Sequence, residues 1–274
     1  GRGGYCLMIK ELSDLGKKLR NLQAENEWVH DALKPEPISI ELIIAEDGSY
    51  QSFQLIEKKL TIAEAITAKK GKARLLLDKA EEVLCYGGET SHTKHRLFLE
   101  KYQAYSHLSE LAPVIEFYQK NKANGIEKAL ADFETAIPDE KNRKGNIGFR
   151  IQSEGQRIHE KPEVLREIIS KYEISQNNLL SNNQKKCAIC GHSDHPVVDI
   201  PHGMIKKVPN GQSSGCALVS YNENAFESYQ LKGNDNSSIC TNCAKTYVEG
   251  LNWLLSAGSE VTVKNDKGKE KKTF

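Results

Sequence analysis

The chain has 274 residues, 38% hydrophobic and 27% charged, enough for one large domain or two small ones with a sizeable core. Its 38 Lys and Arg against 37 Asp and Glu leave a net charge of +1, so no global field draws polyanions, and a nucleic-acid partner must be held by a local patch. No run approaches the ~18 apolar residues of a membrane span, no secretory signal is visible, and seven cysteines are too few and odd in number for a disulfide framework. The expectation is a cytoplasmic protein with no membrane partner.

Residues 1–7 read as leader or vector-derived sequence before an initiator Met8. Leu12, Leu15, Leu19 and Leu22 recur at helical intervals and predict an amphipathic helix over residues 8–33, stopped by Pro35 and Pro37. Residues 38–45 and 50–56 flank an Asp47-Gly48 turn and predict a hairpin. A basic loop at 67–74 leads into a helix expected at 75–85, and residues 92–136 read as helical with breaks near Pro113 and Gly125. Residues 146–151 predict a strand, 162–172 a short helix with Pro162 just inside its start, and the Asn- and Ser-rich stretch 176–184 a linker. Residues 217–221 are a strand candidate and 241–255 a helix, while 258–274 read as the start of a hairpin whose second strand is cut short. The fold class expected is α+β, with small β-sheets or hairpins, a helical segment and a zinc-stapled C-terminal portion. The expected domains are 8–176, containing the basic loop and helical segment, and 185–257, containing the cysteines.

The strongest chemical signal is the pair of Cys-x-x-Cys knuckles, Cys187 with Cys190 and Cys240 with Cys243. Four thiolates at two such corners suit tetrahedral zinc, and a Cys₄ shell leaves no position open for catalytic water, so the expected cofactor is structural Zn²⁺. His192, His195 and His202 lie close enough in sequence to replace a cysteine, and redox-active or unpaired dithiols are a competing reading.

Two basic surfaces compete with an ordinary solvated loop. Lys206 and Lys207 precede Gln212, Ser213 and Ser214 between flexible glycines, a set that can address phosphates and base edges. Lys69, Lys70, Lys72 and Arg74 form a local excess of positive charge suited to salt-sensitive phosphate binding. A weaker third cluster comprises Lys141, Arg143, Lys144 and Arg150. No Gly-x-x-x-x-Gly-Lys loop or Gly-x-Ser-x-Gly elbow occurs, and Cys85 and Cys216 read as small buried hydrophobes, so no enzyme is expected.

Residues 211–229, Gly-Gln-Ser-Ser-Gly-Cys-Ala-Leu-Val-Ser-Tyr-Asn-Glu-Asn-Ala-Phe-Glu-Ser-Tyr, resemble the signature of the large subunit of the type I-C CRISPR Cascade surveillance complex. Pro37-Ile38-Ser39-Ile40, Leu77-Asp78-Lys79-Ala80 and Asn146-Ile147-Gly148-Phe149-Arg150 resemble further segments of that family in the same order. The resemblance spans residues 8–274 and implies the N-terminal portion of a longer chain. It implies a non-catalytic subunit that contacts the crRNA 5′ end and reads the protospacer-adjacent motif of double-stranded target DNA. Its partners would be the other Cascade backbone subunits and a recruited helicase-nuclease. Lys72, Arg74, Gln212, Ser213 and Ser214 would then contact DNA, with Lys69, Lys70, Lys206 and Lys207 supplying backbone contacts. A stand-alone zinc-ribbon module binding nucleic acid or protein is the alternative, and a metal-dependent nuclease a further one.

Overall fold

In a computed structural model the chain divides into two units, residues 29–172 and residues 1–28 joined with 173–274. The structure describes residues 2–22, 29–66, 71–182, 184–198, 202–206, 208, 215–218, 238–257, 261–264 and 270–273, with backbone alone at 2–7, 261–264 and 270–273. The first helix therefore groups with the cysteine-bearing segment, not with the N-terminal domain expected at 8–176.

The elements run α1 (Arg2–Leu22), β1 (Leu33–Ile44), β2 (Tyr50–Glu64), β3 (Leu77–Asp78), α2 (Ala80–Leu84), α3 (Thr90–Gln103), α4 (Ala112–Ile115), α5 (Ile126–Ala136), α6 (Glu140–Arg143), β4 (Ile147–Ile151), α7 (Pro162–Asn182), α8 (Thr241–Ala257), β5 (Val261–Lys264) and β6 (Glu270–Thr273). The α+β expectation holds. Four strands form one sheet in the order β2-β1-β4-β3, with β1 antiparallel to β2 and parallel to β4. Ile40, Leu42 and Ile44 alternate along one face of β1 and are fully buried with Leu75, Phe98, Phe117, Phe133 and Phe149. A parallel neighbour needs a long crossover, and everything between residues 45 and 146, including most helices of this unit, supplies it. The turn before β2 passes so close to the helical segment that a Cβ on Gly48, whose φ is +77°, would lie 2.3 Å from the Phe117 nitrogen.

Several expected boundaries move. The helix at 75–85 becomes a short strand and a five-residue helix, because Leu76 sits at φ +54° and the buried Asp78 carboxylate caps the backbone N–H groups of Arg74 and Lys79. The Leu75-Leu76-Leu77 run suits strand and helix equally by periodicity. Pro113 does not break a helix but opens one, in the first turn where its missing N–H is not needed; the break falls at residues 104–108 instead. The linker expected at 176–184 is helical to Asn182, since a helix already nucleated propagates through polar residues that cost about 0.5 kcal/mol each. The hairpin expected to be cut short has its second strand, with Val261 opposite Thr273. Its pairing runs through main-chain groups, to which the Glu-Lys-Lys-Thr side chains are indifferent. Cys216 forms an isolated bridge with Ile205, Ala217 and Leu218 are not strand, and residues 219–221 lie outside the described residues.

The opposite face of β1 carries charge. Glu41, 6% exposed, pairs with Arg150 at 2.9 Å and Arg157 at 2.7 Å. Beside them the fully buried His159 meets the Thr61 hydroxyl at 2.9 Å, and that hydroxyl donates to Glu160. The imidazole therefore donates from Nε2, and its Nδ1 has no hydrogen-bond partner among the described residues. Burial pushes His159 down, the Glu160 carboxylate pulls it partly back, and the Arg157 and Arg74 charges add to the fall, to about 4. An unfolded histidine takes its proton near pH 6.5. Its stabilising contribution is thus complete above pH 6.5 and is lost progressively as pH falls toward 4, by up to about 3 kcal/mol. Urea unfolding followed by circular dichroism between pH 7.5 and 4.5 is expected to show this decline. His159→Gln, which can still donate to Thr61, is expected to flatten it; an unchanged slope would refute the assignment.

Candidate metal centre and basic loop

In the cysteine-bearing unit, α1 and α8 cross at small residues. Ile9, Ser13 and Gly16 are buried toward α8; of the predicted leucine stripe, Leu12 packs half-buried on the same cluster, Leu15 and Leu19 are half-buried, and Leu22 is 82% exposed. Ser13 and Thr246 share a buried hydroxyl hydrogen bond of 2.7 Å, and Arg20 grips Glu249 through two donors at 2.6 and 2.8 Å. A Cβ on Gly16 would sit 2.0 Å from the Thr246 carbonyl oxygen, and one on Gly250 2.4 Å from that of Leu12. Glycine at both positions is what lets the backbones approach so closely.

This helix pair supports the four cysteines. Cys240 immediately precedes α8 and Cys243 lies in its first turn, where the N-terminal end of the helix favours thiolates. Cys187, Cys240 and Cys243 are buried among Ile9, Ile189, Val197, Ile205 and Tyr247, and Cys190 is half-buried. The first knuckle turns through Gly191 at φ +74°, whose N–H donates to the Cys187 carbonyl at 2.9 Å. Backbone N–H groups of Ile189 and Cys240 point at the Cys187 sulfur, both at 3.4 Å, and that of Cys243 at the Cys240 sulfur at 3.5 Å.

All four sulfurs lie within 4.8 Å of one another. A tetrahedral ion with bonds of about 2.3 Å sets its sulfurs about 3.8 Å apart, so the cluster fits a metal with little contraction. Hydrogen bonds from Cys240 and then Cys243 hold the Cys187 thiol well below its usual range. The contact with Cys187 raises the other two, Cys240 to about 12, and a bound cation would favour the thiolate form. Among the described residues a second group, Cys190, His192 and Asp194, shares one thiol with this site, but its other two members are exposed. His195 joins neither group, and His202 Nδ1 instead faces the Tyr247 hydroxyl at 3.0 Å. Four clustered thiols thus make histidine substitution unnecessary.

Of the expected nucleic-acid contacts, Lys69, Lys70, Lys207, Gln212, Ser213 and Ser214 lie outside the described residues. Lys72 and Lys206 are exposed, and the Lys206 N–H donates to Asn252 at 2.7 Å. Arg74 departs from expectation. It is 6% exposed, its Nη2 lies 3.0 Å from Glu36, and its Nε donates to the Glu64 carbonyl at 3.1 Å. A guanidinium committed inside the fold supports the loop and is not offered to a base edge. Local charge counting sees only that Arg74 belongs to a basic run; its acidic partner, Glu36, sits on β1, distant in sequence. Of the third cluster, Arg150 is likewise engaged, with Glu41, and Lys144 pairs with Glu140 at 2.9 Å. Among the described residues no helix is long and apolar enough to cross a membrane.

The fold and site define an α+β protein with a four-cysteine site able to hold a metal ion. The family model described as CRISPR-associated protein (Cas_Csd1) matches residues 15–268. The chain belongs to this CRISPR-associated family. No curated protein matches it.

Proposed function

We propose that the chain is the N-terminal portion of the non-catalytic large subunit of a type I-C Cascade complex. It contacts the crRNA 5′ end beside the other backbone subunits, reads the protospacer-adjacent motif of double-stranded DNA, and leaves cleavage to a recruited helicase-nuclease. The observation that carries this reading is the family match across residues 15–268, and the Gln-Ser-Ser-Gly block at 212–215 falls inside it. In this reading Lys69, Lys70, Lys72, Lys206 and Lys207 bind phosphates, and Gln212, Ser213 and Ser214, set between glycines in the sequence, address the duplex. Zinc in the four-cysteine site is structural and takes no part in chemistry.

Filter-binding titrations of the assembled guide-RNA complex with motif-bearing and motif-scrambled duplexes test this. Tighter binding to the motif is expected, and Gln212→Ala is expected to cost roughly 1–3 kcal/mol of discrimination. Equal affinity for both duplexes would remove motif reading and favour a general zinc-ribbon binding module. DNA cleavage by the chain alone with added divalent metal would favour a nuclease.

A further inference from the structure

The base of the basic loop is closed by charged groups that leave little of their bonding capacity unused. Upstream, the Ala65 N–H donates to the Ala32 carbonyl at 2.8 Å, fixing the chain as it leaves β2. The last residue of β2, Glu64, then reaches across the loop. Its Oε2 accepts from the Leu75 N–H at 3.0 Å, its main-chain carbonyl from Arg74 Nε at 3.1 Å, and its Oε1 from Lys101 at 2.5 Å. Arg74 continues the ring to Glu36 at 3.0 Å, and its own N–H donates to the fully buried Asp78 at 3.2 Å. The downstream flank is also strained: Leu76 holds φ +54° with its side chain fully buried, a conformation that persists only where its surroundings over-determine it. By contrast Gly71, at φ +71°, has nothing within 4 Å of where a Cβ would stand, and Lys72 beside it is exposed.

We propose that Glu64, acting with Arg74 and Glu36, is a positioning residue for Lys72, clamping the flanks at residues 64–65 and 74–75 so that the Lys72 ammonium meets the DNA backbone from a fixed base. The proposal rests on the DNA-reading function above. Buried ion pairs add little net stability compared with apolar packing, so their use here is better matched to fixing a geometry. A loop ordered in advance binds more tightly because association does not bear the entropy of ordering it.

Two readouts on Glu64→Gln and Arg74→Lys test the clamp. The first is tryptic cleavage after Lys72 in the native chain, which requires the buried Ala73 and Arg74 to come out. It is expected to accelerate roughly tenfold in either variant, as one buried charged hydrogen bond is lost. The second is duplex affinity of the assembled complex against salt. Both variants are expected to weaken binding severalfold with the salt slope unchanged, whereas Lys72→Ala lowers the slope by about 1. Unchanged cleavage in both variants overturns the clamp whatever the DNA result. Faster cleavage with unaltered affinity overturns its role in binding. A slope lowered by Arg74→Lys would make Arg74 a phosphate contact and overturn its positioning role. Failure of the wild-type complex to bind duplex would instead count against the proposed DNA-reading function, with the clamp still judged by cleavage. Should Glu64→Gln not fold, Arg74→Lys, which keeps the charge and loses only the fork, carries the same test.

Discussion

Purified under reducing conditions, the chain is expected to carry about one zinc ion, as a single Cys₄ shell requires. Chelation, or replacement of Cys187 and Cys240 by Ser, is expected to lower the melting transition of the cysteine-bearing unit by roughly 10 °C or more. The size of the effect follows from what the ion joins. It would tie residue 187 to residue 243 across a long span, and a loop so closed no longer loses that entropy on folding. The same sulfurs sit within the hydrophobic cluster built by Ile9, Val197, Ile205 and Tyr247, where a cation would offset the cost of burying thiolate charge. Metal analysis and calorimetry with and without chelator make the measurement. A metal-free protein whose melting is indifferent to both cysteine replacements would remove the staple.

The second large effect is steric. Gly16→Ala and Gly250→Ala each demand that α1 and α8 move apart, since the new Cβ would lie 2.0 and 2.4 Å from a main-chain oxygen of the facing helix. Backbone cannot rotate away as a side chain can, so each is expected to destabilise this unit by about 3 kcal/mol, the upper end of ordinary overpacking. The two sites share one crossing: a Cβ on Gly250 would also stand 3.2 Å from the Gly16 nitrogen. Once one substitution has separated the helices the second meets less resistance, and the double variant is expected to cost less than the sum. Gly155→Ala, with nothing within 4 Å, is the control and is expected to change stability by under about 0.5 kcal/mol. Denaturant midpoints of the four variants and the parent chain decide it, and full tolerance of Gly16→Ala would refute the close crossing.

The two effects were not equally legible in advance. The knuckles announce themselves because metal ligation needs particular residue types at short, fixed spacing, and all four cysteines do come together. The helix crossing gives no such notice. Leucines 12, 15, 19 and 22 mark the most apolar stripe of α1, and Leu12 does pack on the hydrophobic cluster, yet the closest approach to α8 is made at Ser13 and Gly16, where small residues permit it. Whether a glycine is an accident or a contact depends on the partner helix, more than two hundred residues away in sequence.

The basic loop divides the same way. Its excess of lysine is plain from composition, and Lys72 is exposed. Arg74 belongs to the same run by charge but is drawn inside by Glu36 and Glu64, on strands whose proximity local spacing does not reveal. By itself, the sequence determined the α+β class, the four-cysteine cluster, the hairpin of residues 38–45 and 50–56 and the positive charge before β3, because periodicity and ligand spacing act over a few residues. Only the tertiary structure decided which basic side chain supports the loop and where α1 approaches α8. Those outcomes depend on packing and ion pairing between distant segments, whose energies exceed the local preferences of about 0.5 kcal/mol that a residue-by-residue reading can see.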